Sequence, residues 1–178
     1  MIDKIEMLSQ LQKIGIIKYG DFTLKSGAKS SIYIDLRELI AYPAILNSIA
    51  KLMWQSAQNL TCDLICGVPY NAIPIATCIS INNNIPMLIK RKEIKEYGTK
   101  KQVEGIFLPN QRCIIIEDVI TTGGSIMETI EVLEKEKIKV TDILVLVERE
   151  KSARENLQEK GYQLHSVYTL NELLEKKQ

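Results

Sequence analysis

The chain has 178 residues, of which 46% are hydrophobic and 25% charged, and its formal net charge is +1. That length suits one compact unit with a full core, and so even a charge balance sets up no global field to draw the chain to nucleic acid or a membrane surface. No apolar run approaches the ~20 residues needed to cross a bilayer, and Met1-Ile-Asp-Lys-Ile-Glu6 lacks a signal peptide's apolar centre, so the expected location is the cytoplasm.

In chain order, Asp3 to Gly15 reads as an amphipathic helix with Ile5, Leu8, Leu11 and Ile14 near one face and Gly15 to end it. Phe22–Lys25 and Ser31–Asp35 read as two short strands around the turn at Ser26-Gly27. A helical pattern runs from Tyr42 to about Leu60, with Pro43 in its first turn. Strands and helices then alternate: Leu64–Gly67 strand, Ile73–Ile81 helix with Pro74 early, Pro86–Ile89 strand, Ile114–Ile116 strand, Gly124–Lys135 helix. They continue with a strand at Val140–Val147, a polar helix at Ser152–Lys160 stopped by Gly161, and a strand at Leu164–Tyr168. Thr169-Leu-Asn-Glu172 has the spacing of a capping box for a terminal helix. Such alternation predicts an α/β fold, a parallel sheet flanked by helices on both faces, with the N-terminal strands outside it as a small hood. One domain over 1–178 is expected, with the hood at about 1–40 and the core at about 41–178. Lys90 to Gly105 carries no clear structural pattern.

Cys62, Cys66, Cys78 and Cys113 include no C-x-x-C pair and read as free thiols. His165 is the only histidine and lies in a strand-like segment, so a structural role is expected and histidine acid–base chemistry is not.

Chemistry concentrates in Cys113-Ile-Ile-Ile-Glu-Asp-Val-Ile-Thr-Thr-Gly-Gly-Ser125. A buried strand delivers two carboxylates, Glu117 and Asp118, to the carboxyl edge of the sheet, where open α/β folds bind ligands. Glycines let the backbone approach a phosphate, and the Thr and Ser hydroxyls join the N–H groups of a helix start in an anion site. Carboxylates do not ligate phosphate, so they suit ribose hydroxyls or a metal-bound sugar; together the parts point to a sugar phosphate. Gly67-Val-Pro-Tyr-Asn-Ala72 is a second strand-to-helix turn able to hold an anion. Lys90–Lys101 packs six basic and two acidic residues into a near-neutral chain. Alone, such a run is usually a solvated loop.

Glu117–Ser125 resembles the phosphoribosyl pyrophosphate (PRPP) signature of type I phosphoribosyltransferases. Phe22-Thr-Leu-Lys-Ser-Gly27 with Ile32-Tyr-Ile-Asp-Leu-Arg37 resembles the substrate hood of the orotate phosphoribosyltransferases, and Arg91–Gly98 their catalytic loop. The similarity spans about Phe22 to Leu170 and is closest to the orotate-transferase domain of UMP synthases. It implies a type I phosphoribosyltransferase fold and the transfer of the phosphoribosyl group of PRPP to orotate, giving orotidine 5′-monophosphate and pyrophosphate with Mg²⁺. Under it, Glu117 and Asp118 take the ribose hydroxyls, Val119 and Ile120 continue the PRPP motif, and Thr121, Thr122, Gly123, Gly124 and Ser125 cradle the 5′-phosphate. Tyr70, Asn71, Arg91, Lys92, Lys95 and Tyr97 face the pyrophosphate end, with Lys92 and Lys95 catalytic beside the two acids. Lys25, Tyr33, Thr121 and Arg149 face orotate. A cis peptide is implied near Pro69-Tyr70, no protein side chain is a direct metal ligand, and a homodimer with shared sites follows from the loop. Three positions depart from many bacterial members: Tyr97 stands for a histidine, Asn71 for a lysine and Ile34 for a second aromatic. No fused decarboxylase is expected before Gln178, which leaves a separate orotidine 5′-monophosphate decarboxylase as a candidate partner. The competing readings are a purine phosphoribosyltransferase, which should lack this hood and loop, and a non-catalytic PRPP-responsive regulator, which needs no closing loop.

Overall fold

A computed structural model describes residues 2–24, 27–92 and 101–175. Helix α1 (Lys4–Lys13) starts where the Asp3 carboxylate accepts from the Ile5 N–H, and it ends ahead of Gly15, whose φ of 72° is left-handed. Of the expected inward face, Leu11 is buried and Leu8 and Ile14 pack against the core, Met7 joins them, and only Ile5 stays out, at 54% exposure. Strands β1 (Ile17–Thr23) and β2 (Lys29–Ile34) pair antiparallel in a two-stranded sheet of their own. β1 begins five residues earlier than the sequence pattern suggests, because a register irregularity between Tyr19 and Phe22 hides its alternation. A 3₁₀ turn (Arg37–Ala41) leads into α2 (Pro43–Gln55). α2 stops short of Leu60: Ser56 Oγ donates to the Met53 carbonyl at 2.7 Å, an alternative to continued helix.

The main sheet has six strands in the order β5-β4-β3-β6-β7-β8. They are β3 (Leu64–Gly67), β4 (Met87–Lys90), β5 (Val103–Glu104), β6 (Arg112–Ile120), β7 (Lys139–Glu148) and β8 (Gln163–Thr169). All neighbours are parallel except β5, which runs antiparallel to β4. β5 is too short to leave a periodic trace and falls in the stretch without a pattern. Helices α3 (Ala72–Asn83), α4 (Gly124–Lys135), α5 (Lys151–Glu159) and α6 (Leu170–Leu174) complete the fold, the last behind the expected Thr169–Glu172 capping box.

Alternate residues of the central strands feed two cores, as strand geometry requires. Ile65, Ile114, Ile116, Leu144 and Leu146 pack with α1, α2 and α3; Leu64, Cys66, Cys113, Ile115, Ile143 and Val145 pack with α4 and α5. Ile34, Leu36 and Leu39 belong to the first of these, which ties the hairpin's exit to the main sheet. All four cysteines are free, and burial pushes the Cys66 thiol up to about 11, so it is inert at neutral pH. His165 Nε2 sits 2.8 Å from Asp142 Oδ1 across β7 and β8, a structural pairing.

One polar cluster crosses three elements. Arg154 of α5 donates from Nε to Glu148 Oε1 at 3.0 Å and from Nη2 to Oε2 at 2.5 Å, and Nη1 reaches the Leu164 carbonyl. Ser166 Oγ also donates to Glu148 Oε2, at 2.8 Å. Burial pushes the Glu148 carboxyl up, but the Arg154 fork and the Ser166 hydroxyl more than offset it and hold it below the usual range. Arg154→Met should therefore cost about 3 kcal/mol, the low end for stranding a buried charge, since the guanidinium is partly exposed. A lowered folded-state value means this contribution is complete above the ordinary carboxyl value of 4.5 and is lost as pH falls below it. Urea unfolding at pH 7 should show the full difference between variant and wild type, and at about pH 3 the gap should narrow.

Candidate active site

A cleft of about 540 Å³ opens at the carboxyl ends of β6 and β7, roofed by the β1–β2 hairpin. Its wall includes Tyr33 through Arg37, Asn71, the whole run from Glu117 to Ser125, Glu128 and Arg149. β6 does not end at the carboxylates: it pairs with β7 as far as Val119↔Val147 and Ile120↔Glu148. Backbone pairing tolerates two acids, and β-branched Val119 and Ile120 resume the strand pattern. Glu117 is only 7% exposed, and its Oε1 accepts from the Asp118 N–H at 3.0 Å. Asp118 Oδ1 accepts from the Val119 N–H at 2.8 Å. Both carboxylates are thus fixed by the backbone beside them.

After Ile120 the chain turns through Thr121 and Thr122 to Gly123, whose φ of 85° is left-handed and favours glycine. α4 then begins without a side-chain cap and with no acid in its first turn. Its first N–H groups and its positive dipole end face the cleft, an arrangement that suits a phosphate. The second strand-to-helix turn is built just as tightly. A Cβ on Gly67 would lie 3.0 Å from the Ala72 carbonyl oxygen and from Ile73 Cα, so only glycine lets β3 run this close beneath α3. The Pro69–Tyr70 peptide is cis, and Asn71 brings no side-chain cap to α3.

Beside this run, Arg149 follows β7 directly, its N–H donating to the Ile120 carbonyl at 2.9 Å. Its Nη2 donates to Ser30 Oγ at 2.7 Å and to the Ile32 carbonyl at 3.0 Å on the hairpin. Tyr33 packs on Phe22, with ring centroids 5.4 Å apart, and the Arg37 guanidinium lies 5.6 Å from its centroid. Arg37 is held in turn by Asp35, donating from Nε at 2.8 Å and from Nη2 at 2.7 Å. That fork holds the Asp35 carboxyl below its usual range.

Two carboxylates, an uncapped helix start, an arginine and an aromatic in one cleft are parts that a phosphosugar and a planar acid would need. The family model for the phosphoribosyl transferase domain matches residues 35–166. The orotate phosphoribosyltransferase of Chlamydia caviae is 43% identical over 166 residues, covering 92% of this chain and 81% of that protein. The chain belongs to the orotate phosphoribosyltransferases. The uridine 5′-monophosphate synthase of Bos taurus shares 50% identity over 170 residues with this orotate phosphoribosyltransferase family member, covering 94% of the chain but only 35% of the longer protein. The crystal structure of orotate phosphoribosyltransferase from Aeropyrum pernix superposes with a TM-score of 0.83 at 34% identity, covering 94% of this chain and 96% of that one.

Of the residues an orotate phosphoribosyltransferase reading singles out, the cleft gathers Tyr33, Asn71, Glu117 through Ser125, and Arg149. Tyr70, Arg91 and Lys92 stand outside its wall. Lys92 Nζ lies 4.6 Å above the Tyr70 ring, and Arg91 is ion-paired with Glu104 while its N–H donates to the Gln102 carbonyl. Lys25, Lys95 and Tyr97 lie outside the described residues. Asp35, Arg37 and Glu128 also reach the cleft, although no role was assigned to them from sequence. The Asp-x-Arg spacing of Asp35 and Arg37 after an alternating strand is the signal that could have marked them; Glu128 sits on a helix face and carried none.

Proposed function

We propose that this chain transfers the phosphoribosyl group of PRPP to orotate, giving orotidine 5′-monophosphate and pyrophosphate in pyrimidine synthesis. The observation that carries the reading is one cleft lined by the Glu117–Asp118 acid pair, an uncapped helix start, Arg149 and Tyr33. The 5′-phosphate sits on the Thr121–Ser125 turn, where N–H groups and hydroxyls neutralise it. Glu117 and Asp118 accept from the ribose hydroxyls, and their charge favours the oxocarbenium character that develops at C1′. Tyr33 lies against the orotate ring, and Arg149 donates to its polar edge. Orotate N1 forms its bond to C1′ on the face opposite the pyrophosphate oxygen as that C1′–O bond breaks, inverting the centre; the N1 proton is released to the departing pyrophosphate or to water, and no enzyme nucleophile takes part. Asn71 and Tyr70 meet the pyrophosphate, and Lys92, Lys95, Arg91 and Tyr97 close on it. Catalysis is then positioning plus charge stabilisation.

Hard-oxygen carboxylates line the cleft and no cysteine or histidine does, a donor set that fits Mg²⁺ carried mostly by PRPP oxygens and water. Bound there, the ion would neutralise pyrophosphate charge. The active form is a homodimer in which Lys92 serves the neighbouring subunit's cleft, supported by its position outside the wall of its own. The 1–40 segment acts as a hood within a single domain, and the chain works in the cytoplasm; no helix among the described residues is long and apolar enough to cross a membrane. The test is loss of orotate absorbance on mixing protein, orotate, PRPP and Mg²⁺, with hypoxanthine and adenine as parallel acceptors. Loss that needs both PRPP and protein supports the reading, and turnover of a purine alone would overturn it.

A further inference from the structure

Arg149 is shared between the cleft and the hairpin. The guanidinium has N–H donors on three nitrogens. Its Nη2 is committed to β2, to Ser30 Oγ at 2.7 Å and the Ile32 carbonyl at 3.0 Å. Among the described residues Nε and Nη1 make no hydrogen bond, and the side chain lines the cleft. Ser30 is itself locked. Its Oγ donates to the Ile32 carbonyl at 2.8 Å and accepts from the Ile32 N–H at 3.1 Å. With its hydrogen spent on Ile32, the hydroxyl can present only a lone pair to Arg149, so it acts as a fixed acceptor. Three residues further along the same strand stands Tyr33, held by Phe22 and Arg37. One arginine therefore joins the strand end at β7 to the strand that carries the ring facing the base.

We infer that Ser30 is a positioning residue for orotate: it holds the Arg149 guanidinium by Nη2, so that Nε and Nη1 are presented to the base and the hairpin is latched over it. The inference rests on the orotate role of Arg149 proposed above. Without the hydroxyl, Nη2 keeps only the Ile32 carbonyl, and the long side chain regains rotamer freedom that orotate binding must then remove. The PRPP half of the cleft, built from the β6–α4 turn, shares no hydrogen bond with Ser30 and should not respond.

Steady-state kinetics on Ser30→Ala, Ser30→Thr, Arg149→Met and the Ser30→Ala/Arg149→Met double variant test this. Ser30→Ala should raise the orotate KM about tenfold, the factor carried by one hydrogen bond to a charged group, with the PRPP KM and the melting temperature unchanged. Ser30→Thr keeps a hydroxyl on a β-branched residue suited to a strand and should restore most of the loss. In the double variant the serine change should add nothing to the Arg149→Met effect, because both act through one contact. If Arg149→Met raises the orotate KM and Ser30→Ala does not, the latch is wrong while the role of Arg149 stands. Should Arg149→Met leave the orotate KM unchanged, that role fails and the latch fails with it. A Ser30→Ala variant that weakens both substrates alike, or melts early, would show a merely structural serine and overturn the inference.

Discussion

Asp118→Asn should lower kcat/KM for PRPP about a hundredfold, the scale expected when a preorganised charge at a reacting centre is removed. The substitution keeps shape and changes charge. Asparagine's side-chain carbonyl can still accept from the Val119 N–H that Asp118 Oδ1 holds at 2.8 Å, so the strand end should stay in place. Asp118 is also the less buried of the two acids, while Glu117, at 7% exposure, accepts from its N–H. Asp118→Asn should therefore melt with the wild type, and the loss should fall on PRPP rather than on the orotate KM. Varying PRPP at saturating orotate, with a thermal melt alongside, checks both; an unchanged rate would remove the ribose role.

The second large effect belongs to Lys92. Lys92→Ala should reduce kcat by about two orders of magnitude, because a cation on a leaving pyrophosphate acts mainly in the transition state. Its Nζ rests 4.6 Å over the Tyr70 ring, on an exposed site where such a contact adds little stability, so the fold should not suffer. Lys92 lies outside the wall of its own cleft, and mixing makes the prediction sharper. In a shared-site homodimer, Lys92→Ala and Asp118→Asn subunits form mixed dimers in which one site carries both changes and the other neither. After subunit exchange, activity should recover to about a quarter of wild type by random pairing. If the mixture stays as inactive as its two components, the loop acts in cis and the shared-site arrangement is wrong.

Much of the site could be read from the chain because its parts are contiguous. Strand, acids, Thr-Thr-Gly-Gly-Ser and helix follow one another from Cys113 to Lys135, and α4 spans Gly124–Lys135 as the pattern predicts. Local rules suffice there: an apolar run, a left-handed glycine and an uncapped helix start. The turn from Gly67 to Ala72 and the terminal capping box are legible for the same reason. Where the pattern faltered, pairing with a distant strand had overruled local chemistry. β6 runs on through two carboxylates because β7 is there to pair with it, and Val103–Glu104 becomes a strand only beside β4.

By itself, then, the sequence determined the order of elements except β5, the family and the contiguous β6–α4 turn that lines the cleft, all of which rest on neighbouring residues. Tertiary structure decided what depends on residues far apart in the chain. Arg149 meets Ser30 across 119 positions, and the fork of Arg154 on the buried Glu148 is completed by Ser166 from β8. It also placed Lys92 against Tyr70 and outside the cleft wall. A hydrogen bond depends on the positions of both partners in space, and no periodicity along a chain encodes that distance.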